Sequence, residues 1–149
     1  MVSLRDVVDA DLPIFFEYES DAEAAAMAAF PSREREAFMA HWAKTRANDA
    51  ALQKTVVVDG EVAGNIGCWE DGGRHFVGYW IGRAFWGRGV ATRALAELAT
   101  IVDARPLYAH VVAHNVGSRR VLEKCGFVQV DAHVGDDGVE ELLFELPGS

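Results

Sequence analysis

The segment Phe85–Leu95 constrains the fold of this chain more than any other, because it places a glycine-rich turn directly before a helix. It reads FWGRGVATRAL, and apolar residues continue at helical spacing to Leu98 and Val102. The first N–H groups of a helix lack partners within the helix, and the helix dipole adds partial positive charge there. Glycines allow an anion to approach that backbone closely, and Thr92 adds a hydroxyl donor. The segment therefore predicts a phosphate or pyrophosphate site, although Gly-x-Gly alone more often marks only a turn.

Apolar periodicity and turn residues predict strands alternating with helices along the rest of the chain. The predicted strands cover residues 2–7, 53–58, 61–69, 75–82, 107–113, 127–133 and 139–146. The predicted helices cover about 9–18, 21–29, 32–47, 89–103 and 116–125, with Asp9 and Ser32 as N-caps. Asp59-Gly60 is a strong hairpin signal. This order of elements predicts a central mixed sheet with helices on both faces.

Two further motifs flank the glycine-rich segment. Gly78-Tyr79-Trp80-Ile81-Gly82 precedes it, and His114-Asn115-Val116-Gly117-Ser118 opens a short amphipathic helix that ends at Gly126-Phe127. With these three motifs in this order, the chain resembles the GNAT superfamily of acetyl-CoA-dependent N-acetyltransferases. The letters YWI and WGRGVAT are most similar to the branch that contains the ribosomal-protein N-terminal acetyltransferases and their small-molecule relatives. The resemblance covers roughly residues 55–146, and more loosely the whole chain.

The resemblance implies one α/β (α+β) N-acetyltransferase domain over residues 1–149. The expected architecture is a central mixed, twisted sheet of about six to seven strands with helices on both faces. Two adjacent strands, ending near Gly82 and Ala113, are expected to splay apart at a cofactor cleft. Splayed strands leave main-chain groups unpaired, and a peptide-like pantetheine arm can pair with them.

The implied reaction is transfer of an acetyl group from acetyl-CoA to a primary amine by direct attack in a ternary complex. The acceptor is a small molecule or a protein or peptide N-terminus, and no metal is expected. The alternative is a non-catalytic acyl-CoA-binding sensor or assembly module. Two departures keep that alternative open: Phe76 stands where relatives often carry a carboxylate, and the tyrosine that many relatives place on the helix after the Asn is missing.

The resemblance also implies a set of cofactor-binding residues. Backbone groups of the strand end would face pantetheine, those of the glycine loop would bind the pyrophosphate, and Asn115 would hydrogen-bond pantetheine. Arg119 or Arg120 would reach CoA phosphates, with an exposed helix face as the simpler explanation for the pair. The full expected set is Trp80, Ile81, Gly82, Gly87, Arg88, Gly89, Val90, Ala91, Thr92, Asn115, Ser118, Arg119 and Arg120.

The expected catalytic residues are Ser118, Glu70 and Asn115. Ser118 resembles the serine used by the N-terminal acetyltransferase branch and is the candidate general acid, although a serine in a first helical turn is otherwise a capping residue. Glu70, at the end of a predicted strand, is the candidate base. His110 and His114 remain alternatives, because side chains alternate along a strand and both would lie on one face. A water-only route is also open.

Residues 21–47 would roof the acceptor site by resemblance. An aromatic and acidic rim suits a protonated amine. The simpler explanation is that these apolar residues form core and the acids keep helix surfaces solvated. The residues concerned are Tyr18, Met27, Phe30, Phe38 and Trp42, with Glu17, Glu19, Asp21, Glu23, Glu34 and Glu36.

Composition narrows the class of protein. The net charge of −9 argues against nucleic acid as the main partner. Residues 83–124 nevertheless carry seven basic and three acidic side chains, which suits a polyanionic cofactor. No apolar run approaches the roughly 20 residues of a membrane span, and the start of the chain does not read as a signal peptide. Cys68 and Cys125 are expected to be buried thiols, which favours a cytoplasmic location, and a homodimer through the open sheet edge is left open.

Overall fold

The computed structural model describes residues 1–148, which form seven strands and five α-helices. Short 3₁₀ turns at Asp9–Asp11 and Arg83–Phe85 precede two of the helices. The elements in chain order are β1 (Val2–Asp6), α1 (Leu12–Glu19), α2 (Ala22–Ala28), α3 (Arg35–Arg46), β2 (Leu52–Val58), β3 (Glu61–Asp71), β4 (Arg74–Ile81), α4 (Val90–Ile101), β5 (Leu107–Val112), α5 (Val116–Lys124), β6 (Val128–Val134) and β7 (Glu140–Leu146).

All seven strands belong to one mixed sheet, in the order β1-β2-β3-β4-β5-β7-β6. Neighbours are antiparallel except β4 and β5, which run parallel. Among the described residues, these two strands pair only at His75 with Leu107 and at Phe76 with Tyr108, near their starts. Beyond that point they diverge, so the predicted fold class and the predicted splay between the strands are both confirmed.

Helices cover both faces of the sheet. On one face, Leu95 and Leu98 of α4 are fully buried against the sheet, and α5 adds Leu122. On the other, Phe15 of α1 packs with Phe38 and Trp42 of α3. Truncation of a fully buried leucine to alanine costs about 2–5 kcal/mol. Each of Leu95 and Leu98 therefore contributes a large share of a domain's free energy of unfolding.

Two predicted N-caps are wrong. Asp9 opens a 3₁₀ turn, and α1 begins only at Leu12. The Ser32 hydroxyl donates instead to the Glu19 carbonyl at 2.9 Å, and α3 begins at Arg35 with Glu34 in the cap position. In both cases the polar side chain that was expected to cap the helix lies in a turn or makes a tertiary contact instead.

Asp11 is a buried carboxylate that holds α1 to the edge of the sheet. It accepts two hydrogen bonds of 2.8 Å from Arg5 on β1 and one of 2.7 Å from Thr55 on β2. The Val8 N–H donates to it as well, at 3.0 Å. Burial alone would raise the pKa of Asp11, but these hydrogen bonds and the Arg5 charge outweigh it and lower the pKa to about 2.

Candidate active site

A cavity of about 630 Å³ opens where β4 and β5 diverge. Its wall combines the end of β4, the glycine loop with the first turn of α4, and the first turn of α5; α2 covers it from the other side. Ten of the thirteen residues expected to bind a cofactor line it: Trp80, Ile81, Gly87, Gly89, Val90, Ala91, Thr92, Asn115, Ser118 and Arg120.

The glycine loop presents the start of α4 to this cavity. Gly87 and Gly89 have φ angles of +75° and +73°, in the left-handed region that favours glycine, and a Cβ at either would meet open space. The first main-chain bond of the helix is Arg93 N–H to Gly89 C=O, so the N–H groups before it lack helical partners. Of the residues that the structure describes, none caps these groups with a side chain. The loop therefore has the geometry of an anion site.

Asn115 begins α5 and serves as its N-cap. Its Oδ1 accepts a hydrogen bond of 3.2 Å from the Ser118 N–H, which leaves the Nδ2 amide to donate into the cavity. Arg119 turns away, because its Nη1 donates to the Ala113 carbonyl at 3.1 Å. Arg120 and Lys124 supply the positive charge at this wall instead.

Tyr79 is a site residue that the sequence analysis missed. Its hydroxyl lies 2.6 Å from Ser118 Oγ, and both residues line the cavity. Burial raises the pKa of Tyr79 to about 12, an effect that the Ser118 hydrogen bond only partly offsets. The available signal was strand alternation: Tyr79 shares a face of β4 with Val77 and Ile81, whose side chains pack under α4. Relatives often place this tyrosine on the helix after Asn115, whereas here Tyr79 lies on β4.

The end of β4 is already partly hydrogen-bonded. Trp86 Nε1 donates to the Ile81 carbonyl at 2.9 Å, and the Gly82 N–H donates to Ala63 at 2.8 Å. Gly82 does not line the cavity, and the Tyr18 ring packs against it. The Arg88 guanidinium lies 5.4 Å from the centre of the Phe85 ring, also outside the lining. For Gly82, Arg88 and Arg119, the structure therefore does not support the expected cofactor contacts.

Glu70 is not brought to the cavity. It ends β3, pairs with His75 at 3.7 Å, and is more than half exposed. His75 lies six residues before Ile81, or about 20 Å along the strand. Alternation also places Glu70 on the face of Ile66 and Cys68, beneath α4, rather than on the α1–α3 face. The structure therefore does not bring Glu70 into the cavity lining.

The predicted acceptor rim divides into cavity and core. Met27 lines the cavity, and the Phe30 ring meets Trp80 edge-on at 5.9 Å. Phe38 and Trp42 are buried against Phe15, so their assignment to the rim is wrong.

Several of the acids expected at the rim have basic partners. Asp21 pairs with Arg83 at 2.8 Å, and Glu23 bonds the same guanidinium. Glu19 is buried beside Arg33, and burial raises its pKa although the arginine opposes this. Three of the six acids expected at the rim are thus paired with two arginines.

Over residues 1–148, no cluster of His, Cys, Asp and Glu side chains could hold a metal ion. Over the same residues, no helix is both long and apolar enough to cross a membrane. Cys68 and Cys125 are free, and burial raises the pKa of both thiols.

Comparison with known proteins matches this architecture to one family. A family model described as an acetyltransferase (GNAT) domain matches residues 2–128. No curated protein matches the sequence.

Solved structures share the fold at low identity. An acetyltransferase of the GNAT family from Bacillus anthracis has a TM-score of 0.84 at 18% identity, over 98% of this chain and 94% of that one. Spermidine N-acetyltransferase from Vibrio cholerae, in complex with CoA and spermine, has a TM-score of 0.84 at 16% identity, over 98% and 95%. An aminoglycoside acetyltransferase in complex with coenzyme A has a TM-score of 0.79 at 16% identity, over 96% and 94%.

Proposed function

The chain belongs to the acetyltransferase (GNAT) domain family, and from that premise we propose that it transfers the acetyl group of acetyl-CoA to a primary amine by direct attack. The observation that carries the proposal is the cavity between the diverging strands. It joins the unpaired N–H groups of α4 to the Asn115 amide and to the hydroxyl pair of Tyr79 and Ser118.

The glycine loop suits the pyrophosphate of CoA. The N–H groups of Val90, Ala91 and Thr92 would donate to it, and Arg120 and Lys124 would add positive charge nearby. Asn115 Nδ2 would donate to a pantetheine carbonyl. Acetyl-CoA supplies the activated acetyl group, so these residues need only bind and orient it for the reaction.

Ser118 is the proposed general acid. When the C–N bond forms and the C–S bond breaks, the departing sulfur needs a proton, and the Ser118 hydroxyl would donate it. The Tyr79 hydroxyl, 2.6 Å away, would return a proton to Ser118 and regain one from water. With its pKa raised to about 12, Tyr79 stays protonated at neutral pH and remains a donor.

The acceptor would enter beneath α2, where Ala24, Met27 and Ala28 line the cavity. Structural neighbours include enzymes named for spermidine and for aminoglycosides, which favours a small amine. The likeness to the N-terminal acetyltransferase branch rests on sequence motifs alone, so peptide N-termini belong in the same panel. The cytoplasmic location and the homodimer stay predictions from the sequence.

The test is calorimetric titration with acetyl-CoA, followed by thiol release in the presence of polyamines, aminoglycosides and peptide N-termini. Ser118→Ala should lower turnover by about 10²-fold or more, since general acids typically contribute that much, and leave acetyl-CoA affinity unchanged. Ser3→Ala, at an exposed position on β1, is the control. Equal turnover in Ser118→Ala would exclude Ser118 as the acid. Binding without thiol release for any acceptor would favour the sensor alternative.

A further inference from the structure

We propose that His110, held by Glu141, is the general base that takes the proton of the acceptor amine. The proposal rests on the transfer reaction described above and selects one of the two histidines that the sequence left open as alternatives to Glu70. It is carried by the position of one side chain at the apex of the splay and by the contacts that fix its ring.

His110 stands where β4 and β5 separate. Tyr108 is the last β5 residue that pairs with β4, and His110 follows two residues later. Continuing that register places His110 level with Gly78, across the gap between the strands. Tyr108 and His110 both contact Phe76, whereas Leu107, Ala109 and Val111 between and around them pack under α4 and α5. His110 therefore faces the α1–α3 side, beneath which the acceptor would enter.

The proposed acid and base lie on opposite sides of this gap. Tyr79 reaches Ser118 on the α4–α5 side, whereas His110 projects to the other side. An amine attacking a carbonyl from the His110 side would expel sulfur toward Ser118. Such separation keeps the group that accepts a proton away from the group that donates one.

Two contacts fix the imidazole ring. It stacks on Phe76 with 5.0 Å between centroids and 12° between planes, and Phe76 stacks in turn on Trp69 at 6.4 Å. Its Nδ1 lies 3.2 Å from Glu141 Oε1 on β7. A carboxylate at Nδ1 selects the tautomer with its proton on Nδ1, so Nε2 keeps its lone pair for a substrate. The ring is about half exposed. It lies outside the cavity lining, level with Gly78, which is two residues before the cavity-lining Trp80.

The charged groups around the ring suit a base. Glu141 and Glu145 lie on the same face of the sheet, on the neighbouring strand β7. Arg74 of β4 lies over the Tyr108 ring at 4.7 Å, and a hydrogen bond to Glu145 raises the pKa of Tyr108. His114 lines the cavity, but its Nε2 contacts the Ala26 carbonyl at 3.2 Å, so this nitrogen already has a partner.

Two protons leave the acceptor nitrogen in this reaction. The ammonium gives the first to Nε2 of His110, which passes it to water, and the neutral nitrogen forms a bond to the acetyl carbon. As the C–S bond breaks, the nitrogen gives its second proton to Nε2 of His110, and the sulfur takes a proton from Ser118. His110 then releases this proton to water, and Ser118 regains one from water through Tyr79. The position in which relatives often carry a carboxylate holds Phe76 here, and that ring instead supports the imidazole of the neighbouring strand.

The test is His110→Gln. Turnover should fall by about 10²-fold or more, the acidic limb in the pH profile of kcat/KM should disappear, and acetyl-CoA affinity by calorimetry should stay unchanged. Glu141→Gln should give a smaller loss, in kcat rather than in KM, because Glu141 acts by orienting His110. His75→Gln is a matched control, since His75 also pairs with a carboxylate, Glu70, but on the other face of the sheet.

The outcomes separate the two proposals. If the wild-type protein releases thiol while His110→Gln keeps the wild-type turnover and pH profile, His110 is not the base and the transferase proposal stands. An equal loss in His75→Gln would also overturn the assignment, because it would trace the effect to sheet stability. If the wild-type protein binds acetyl-CoA and releases no thiol with any acceptor, the proposed transfer reaction is wrong, and so is the assignment of His110 as its base.

Discussion

Gly89→Val should abolish CoA binding while leaving the protein folded. Gly89 has a φ of +73°, and a Cβ built there meets no atom within 4 Å. The substitution thus causes no clash within the chain. It does force a β-branched residue into the left-handed region, at a cost of about 1–2 kcal/mol. In a protein of this size that strain lowers Tm by about 2–8 °C.

The effect on the ligand is much larger. The valine side chain would project into the cavity beside the N–H groups of Val90 and Ala91. A hydrogen bond to a charged group contributes about 1.5–3 kcal/mol. Losing two of them weakens binding by about 3–6 kcal/mol, which corresponds to an increase in Kd of about 10²–10⁴-fold. Calorimetric titration with CoA measures this directly.

Gly138→Val is the matched control. Gly138 has a φ of +79° and open space around it, but it lies in the turn between β6 and β7, outside the cavity. It should lose similar stability and keep CoA affinity. Wild-type affinity in Gly89→Val would refute the assignment of the glycine loop as the pyrophosphate site. Equal loss of affinity in both variants would show that backbone strain, and not contact with the ligand, is responsible.

Substitutions at three other positions give further predictions. Asn115→Asp keeps the oxygen that caps α5 but loses the Nδ2 donor, so CoA affinity should fall about 10-fold with little change in Tm. Asn115→Ala loses both groups, so it should also lower the free energy of unfolding by about 1 kcal/mol. Tyr79→Phe should lower turnover with CoA affinity unchanged, because only the hydroxyl bonded to Ser118 is removed; unchanged turnover would exclude Tyr79 from the proton path. Asp11→Asn should cost about 2–4 kcal/mol at pH 7 in urea unfolding. The folded pKa of Asp11 is about 2, below its unfolded value. The difference in unfolding free energy between wild type and Asp11→Asn is therefore complete above about pH 4 and is lost as pH falls toward 2. A constant difference between the two proteins over that range would contradict the role of the carboxylate.

The fold was predictable because its signals are local. Alternation marks the strands, and Asp59 with Gly60 takes the two positive φ angles of a tight hairpin turn. The predictions of Asp9 and Ser32 as N-caps were wrong because several nearby side chains could cap each helix. The choice is made by partners distant in sequence, such as the Glu19 carbonyl that accepts from Ser32.

Only the parts of the candidate site that lie within one continuous segment could be predicted from the sequence. The glycine loop is one continuous segment, so its turn and helix start could be predicted without tertiary information. The hydroxyl pair joins residues 39 positions apart, and the pair of His110 and Glu141 joins two strands that are adjacent only in space. Glu70 lies outside the cavity because β3 pairs there with His75 near the start of β4, about 20 Å along the strand from Ile81. Phe38 and Trp42 share an apolar helix face, but sequence alone does not say whether that face meets a cavity or a core.

The most direct test of the central claim is one titration series: acetyl-CoA into the wild-type protein by calorimetry, then thiol release across the amine panel. The account predicts saturable binding at one site and thiol release that depends on an added primary amine. An absence of acetyl-CoA binding would contradict it, because the glycine loop and the cavity between β4 and β5 would then serve some other purpose.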